Sequence, residues 1–145
     1  MSRSARREAL EQSRTPCRKR VLFVCVENSN RSQMAEAFAR IIGRDRVESW
    51  SAGSRPSGGI NPKAAKSMKR VGYDLSAHRS KSVSELPTQE YDAVITMGCG
   101  DACPFVPAIL REDWQIPDPR NLGSEEFDRV RDLIRSKVKE LLARL

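Results

Sequence analysis

The 145-residue chain reads as a single α/β domain, a four-stranded parallel sheet with helices on both faces. Three observations predict it. Short apolar runs alternate with stretches of helical periodicity, the segments between those runs are long enough to be crossovers, and no repeat or linker divides the chain. In order, Arg20 to Val24 is a continuous apolar run and reads as a buried first strand. From Ser32 to Ile42, Met34, Ala35, Phe38, Ala39, Ile41 and Ile42 recur as on an amphipathic helix, which Gly43 ends. Val47 to Ala52 is a second strand, followed by a Gly/Ser/Pro loop, Gly53 to Gly59. Asn61 followed by Pro62 is an N-cap with proline at the first helical position, and that helix runs to about Val71 before Gly72. The stretch Ser80 to Glu90 leaves room for a short helix, Ala93 to Met97 forms a third strand, and Trp114 to Ile116 a short fourth. Ser124-Glu125-Glu126 opens a last long helix with Phe127, Val130, Ile134, Val138, Leu141 and Leu142 on one stripe. In such a sheet ligands bind at the carboxyl ends of the strands.

Charge is concentrated at one end. Residues 1 to 20 hold five of the seven net positive charges, so residues 1–19 read as a basic, flexible extension and residues 20–145 as the domain. That domain is close to neutral and the extension has no interleaved aromatics, which argues against nucleic acid as a partner. The extension lacks the apolar core of a secretion signal, and no later run is long enough to span a membrane. Four cysteines in a chain that uses thiols chemically point to a reducing compartment and a cytoplasmic protein. Cys17 lies in the extension and reads as a bystander. His78, on a polar loop, reads as neither ligand nor base.

The chemistry is expected where the first strand ends. Cys25 leaves that strand, the loop Val26-Glu27-Asn28-Ser29-Asn30 follows, and Arg31 and Ser32 open a helix. A loop feeding a helix N-terminus turns free N–H groups and the positive end of the helix dipole toward its concavity, which favours a tetrahedral oxyanion and, at its first position, a thiolate. Arg31 adds a planar fork able to hold two anion oxygens, which lysine cannot copy. Ser32 can donate its hydroxyl to the sulfur, and Asn28 and Ser29 suit a tight turn. Alone, Cys25 could be a small buried hydrophobe; strand, loop and helix in register weigh against that.

Cys99 and Cys103 form a second constellation just after the third strand. They could be core residues, metal ligands or a dithiol. On one helical turn their Cα atoms would lie ~6 Å apart, a separation a disulfide tolerates. A zinc site would need further ligands, and the chain has one histidine. Their place at a strand end beside the Cys25 loop favours a redox role.

The run Val21-Leu22-Phe23-Val24-Cys25, five residues, then Arg31-Ser32-Gln33-Met34-Ala35-Glu36-Ala37-Phe38 resembles the phosphate loop of the low-molecular-weight protein tyrosine phosphatase superfamily, and within it the arsenate reductase branch. The resemblance continues through Ser51-Ala52-Gly53, Asn61-Pro62, Tyr91 to Thr96, and Asp113-Trp114 to Pro119. Phosphatases of the superfamily typically carry proline where Gln33 stands. The resemblance implies that Asp118, of Asp118-Pro119, protonates the departing oxygen, and that Cys99 and Cys103 relay a disulfide away from Cys25 to thioredoxin or a low-molecular-weight thiol. It implies arsenate as substrate, phosphate and sulfate as competing anions, and no bound cofactor. It also makes Asn28, Glu36 and Ser51 candidates for potassium. Departures are Asn30 where many members have a second cysteine, Glu27 where glycine is common, and a shorter Cys99 to Cys103 spacing. The reading is therefore a thiol-relay arsenate reductase. The alternatives are a phosphatase acting on phosphotyrosine or small phosphoesters, against which Arg120 and Asn121 stand where tyrosine is common, and a non-catalytic redox or oxyanion-binding protein.

Overall fold

A computed structural model describes residues 18–87, 89–98 and 106–145. Four strands, β1 (Lys19–Cys25), β2 (Val47–Gly53), β3 (Tyr91–Thr96) and β4 (Ala108–Asp113), form one sheet in the order β2-β1-β3-β4. Every neighbouring pair is parallel. Strand order reverses at β1, which has β2 on one side and β3 on the other, so the crevice beyond its carboxyl end is the place where an open α/β sheet binds ligands. Cys25 is the last residue of β1.

Side-chain alternation along β1 assigns the two faces. Val21, Phe23 and Cys25 face one way, with Ala93 and Ile95 of β3 beside them, and join the larger core cluster. The α-helices α1 (Arg31–Gly43), α2 (Pro62–Lys69) and α3 (Ser124–Arg144) all contribute to that cluster. Leu22, Val24, Ala52 and Val94 face the other way, where Val83 and Leu86 cover them from the 3-10 helix Val83–Glu85 and its flank. Helical cover on the two faces is thus unequal among the described residues, with three α-helices on one side and a 3-10 helix on the other.

The cap expected at Asn61 is present. Asn61 accepts the N–H of Lys63 at 2.9 Å with Pro62 at the first helical position. Ser82 and Glu85 close a capping box on the short helix of the 80–90 stretch. On α3 the stripe Phe127, Val130, Ile134, Val138, Leu141 is buried as the periodicity requires.

Two expectations need correction. The fourth strand is Ala108–Asp113, not Trp114 to Ile116. It is an edge strand with alternate residues exposed, Ile109 at 75 %, and it ends in Arg111-Glu112-Asp113, so it lacks the apolar run of a central strand. Trp114 follows it, donates its backbone N–H to the carbonyl of Thr96 at 2.8 Å and packs its ring 6.0 Å from that of Phe23. On α1, Ile41 is 40 % exposed whereas Gln33 and Glu36 are buried. The first two turns of α1 are enclosed on every side, so burial there follows position beside the loop and not the apolar period.

Candidate active site

Between β1 and α1 the loop makes a cradle because its carbonyls are all tied outward. The carbonyls of Cys25, Val26, Glu27, Ser29 and Asn30 accept the N–H groups of Ser54, Arg55, Ser57, Asn61 and Met34 at 2.8–3.2 Å, and that of Asn28 accepts Gln33 Nε2 at 3.0 Å. In a trans peptide the following N–H points opposite its carbonyl. The N–H groups of residues 26–31 are therefore turned toward the concavity, at the positive end of α1. Gly53 makes this possible, since a Cβ there would lie 2.5 Å from the carbonyl oxygen of Val26.

Asn28 holds the loop from behind. It is fully buried with φ of 52°, a left-handed conformation that asparagine tolerates better than most residues. Its Oδ1 accepts the N–H of Lys81 at 3.0 Å and Gln33 Nε2 at 2.9 Å, which orients the amide so that Nδ2 donates to Ser32 Oγ at 2.8 Å. Ser32 has one hydroxyl hydrogen, and with its oxygen accepting from Asn28 that hydrogen is free to point at Cys25 Sγ, 2.8 Å away. In that arrangement the sulfur can accept a hydrogen bond from Ser32.

Cys25 is 3 % exposed, at the floor of a cavity of about 340 Å³ lined also by Val26, Glu27, Ser29, Asn30, Arg31, Gly98, Asp118 and Arg120. Arg31 is fixed by donation from Nη1 to the carbonyl of Ile116 at 2.9 Å, with Nη2 4.0 Å from Asp118 Oδ2. Cys25, Arg31 and Asp118 therefore line one cavity, and Ser32 is hydrogen-bonded to the Cys25 sulfur. Cys99, Cys103 and Cys17 lie outside the described residues. Gly98, which precedes Cys99, lines the cavity with φ of +72°, and a Cβ on it would lie 2.8 Å from Arg31 Nη1. Gly98→Ala should therefore displace the fork and strain the backbone at once, raising the KM for the bound oxyanion about tenfold or more. Steady-state kinetics on that variant checks this, and an unchanged KM would show that the guanidinium has room to yield.

Glu27, the unusual residue of the loop, turns its carboxylate out of the cradle to Arg120, 3.0 Å away. The acid group faces a cation and not the anion site.

Of the potassium candidates Ser51 and Glu36 meet, and the oxygens of all three are already engaged. Ser51 Oγ donates to Glu36 Oε1 at 2.7 Å. Buried Glu36 also faces Arg40 at 2.9 Å, His78 Nδ1 at 3.2 Å and Lys81 Nζ at 3.7 Å, and Asn28 Oδ1 is taken as above. The positive charge a potassium ion would bring is supplied by side chains, so the set does not fit an added cation and no step is routed through one.

His78 is more than a loop residue. Its ring is bonded from Nδ1 to Gln33 Oε1 at 3.0 Å and from Nε2 to the Tyr73 hydroxyl at 2.7 Å. Burial pushes its imidazole below the usual range, against the pull of Glu36. Burial likewise lowers the Lys81 ammonium, again opposed by Glu36. Sequence spacing had no signal for this cluster, because Lys81 and His78 reach α1 from a segment more than forty residues away.

A cysteine at a β1 terminus, six outward-tied carbonyls and an arginine closing the ring define a phosphate loop, and the family described as low molecular weight phosphotyrosine protein phosphatase matches residues 20–145. The chain belongs to this family. A relative named glutaredoxin arsenate reductase, from Synechocystis sp., is 38 % identical over 130 residues, covering 88 % of this chain and 98 % of its own. A solved arsenate reductase in the phosphate binding state superposes with a TM-score of 0.79 at 37 % identity, covering 87 % of this chain and 98 % of that one. The thioredoxin-dependent arsenate reductase of Corynebacterium glutamicum superposes with a TM-score of 0.72 at 31 % identity, covering 97 % of this chain and 69 % of the other. Among the described residues no helix is long and apolar enough to cross a membrane, and no group of three or more His, Cys, Asp or Glu is placed to hold a metal ion.

Proposed function

We propose that the protein reduces arsenate to arsenite, using Cys25 as nucleophile and an external thiol as reductant. The observation that carries the reading is Cys25 Sγ, 2.8 Å from Ser32 Oγ in the cavity that it lines with Arg31 and Asp118. Relatives named arsenate reductase over nearly the whole chain support it.

Arsenate enters the cradle, where the loop N–H groups and the Arg31 fork hold its oxygens. The Cys25 thiolate attacks arsenic and Asp118 gives its proton to the departing oxygen, so an As–O bond breaks, water leaves and a Cys25–S–As bond forms. The Cys99 thiolate then attacks Cys25 Sγ. The S–As bond breaks with its electron pair going to arsenic, which leaves as arsenite, and a Cys25–Cys99 disulfide remains. Cys103 attacks Cys99, restoring the Cys25 thiolate, and an external dithiol of the thioredoxin type or a low-molecular-weight thiol reduces Cys99–Cys103. The two electrons gained by arsenic are those of that donor. Such a cycle needs a reducing compartment, and the cytoplasm is the proposed one.

Phosphoester hydrolysis is the second reading, favoured by the same cavity and by the family itself. One variant separates them. Cys99→Ser should abolish arsenate-dependent oxidation of a thiol donor yet leave any slow aryl phosphate hydrolysis, because hydrolysis clears Cys25 with water. Equal loss of both activities, or full arsenate turnover in the variant, would sink the relay.

A further inference from the structure

Glu27 and Arg120 stand on opposite walls of the cavity, one on the loop after β1 and the other two residues beyond Asp118. Their side chains meet, Arg120 Nη1 to Glu27 Oε1 at 3.0 Å, and Arg120 Nη2 lies 3.6 Å from Asp118 Oδ2. Both backbones are anchored. The Glu27 carbonyl accepts the N–H of Ser57 at 3.0 Å and Ser80 Oγ at 2.8 Å. The Arg120 N–H donates to Asp118 Oδ1 at 3.0 Å and its carbonyl accepts Lys63 Nζ at 3.1 Å. The two side chains are 41 % and 52 % exposed, whereas Cys25 below them is 3 % exposed. The ion pair therefore spans the solvent-facing rim of the cavity and not its floor.

We propose that the Glu27–Arg120 bridge is a specificity rim, restricting the site to free tetrahedral oxyanions and disfavouring oxyanions that carry an aryl substituent. This rests on the oxyanion chemistry of the proposed function. A free anion needs only the cradle. An aryl-substituted one has to lead its ring out past the rim, and the cavity, about 340 Å³, is near the small end of the roughly 300–1,000 Å³ of sites that hold drug-sized ligands. Admitting the ring means parting the bridge. An exposed ion pair is weak, so the discrimination it supplies is at most about fivefold.

Charge has to be separated from shape, because removing Glu27 strengthens the binding of any dianion and removing Arg120 weakens it. Both effects act alike on a free and a substituted dianion and cancel in a ratio of affinities. The probes are inorganic phosphate and phenylphosphonate, titrated calorimetrically into the reduced protein at a pH where both are dianions. The ratio of the phenylphosphonate Kd to the phosphate Kd should fall by up to about fivefold in Arg120→Ala and in Glu27→Ala. In the double variant it should fall no further, because one bridge is broken in all three. An unchanged ratio in the single variants would overturn the proposal, as would additive changes in the double, which mean two independent contacts. The ratio is read from binding alone, so a wild-type protein that failed to turn over arsenate would refute the proposed function while leaving this test readable.

Discussion

Cys25→Ser is expected to abolish arsenate-dependent thiol oxidation, a loss of at least about 10⁴-fold, with the fold retained. Serine at this position keeps the hydrogen-bond geometry with Ser32 Oγ, 2.8 Å away in the native site. Its hydroxyl, however, stays protonated near neutrality, and its hydrogen-bond partner Ser32 is not a base that could take the proton. It also has no route to a disulfide, so the relay is lost with the attack. Arg31→Lys is the companion. The side chain is 11 % exposed and ties its Nη1 to the Ile116 carbonyl at 2.9 Å, leaving the rest of the planar fork for the anion. Lysine restores the charge without the two-oxygen geometry, and the expected loss is roughly 10²–10³-fold, the range seen when an oxyanion donor is removed. A coupled assay with thioredoxin and its reductase measures both. Full activity in Cys25→Ser would remove the nucleophile from the scheme.

The second large effect concerns Asn28, whose side chain bonds the loop's own framework. Its fully buried amide makes three side-chain hydrogen bonds, to Lys81 N, Gln33 Nε2 and Ser32 Oγ, while its backbone holds φ of 52°. Alanine would leave Ser32 and Gln33 with unmatched groups in a buried place and sit strained in the left-handed region. The cost should be about 3 kcal/mol, a fall in Tm on the order of 10 °C for a domain of this size. Activity should fall roughly 10²-fold as well, because Ser32 is no longer held with its hydrogen toward the sulfur. Ser32→Ala serves as the comparison, since it removes the hydroxyl at the sulfur while keeping the Asn28 bonds to Lys81 and Gln33. It should lose activity comparably with a smaller drop in Tm, measured by thermal denaturation beside the kinetics. Should Ser32→Ala keep wild-type kcat, the hydroxyl contributes nothing to the sulfur's reactivity.

Much of the site was legible because its parts are neighbours in the chain. Cys25, Arg31 and Ser32 lie within eight consecutive positions, and a strand followed by a tight loop and a helix leaves few ways to arrange them. The Asn61-Pro62 cap and the α3 stripe were legible for the same reason. The β4 strand was not, because an edge strand has no obligation to be apolar, and its polar end hid it behind the better-looking Trp114 to Ile116. His78 was underrated because a polar loop in sequence becomes an enclosed wall when it packs on α1.

By itself, then, the sequence determined the alternation of strands and helices and the strand, loop and helix order that sets Cys25 ahead of Arg31 and Ser32, since each follows from local periodicity or local loop chemistry, whereas the proposed acid role of Asp118 came from the family resemblance. Tertiary structure alone decided what surrounds them. It closed the cavity by bringing Asp118 and Arg120 across to the loop, paired Glu27 with Arg120, set Gly98 against Arg31, and placed His78 and Lys81 beside the buried Glu36. Those contacts join residues tens of positions apart, and their pairing is set by how the sheet and α1 pack together, a property no single segment of the chain carries.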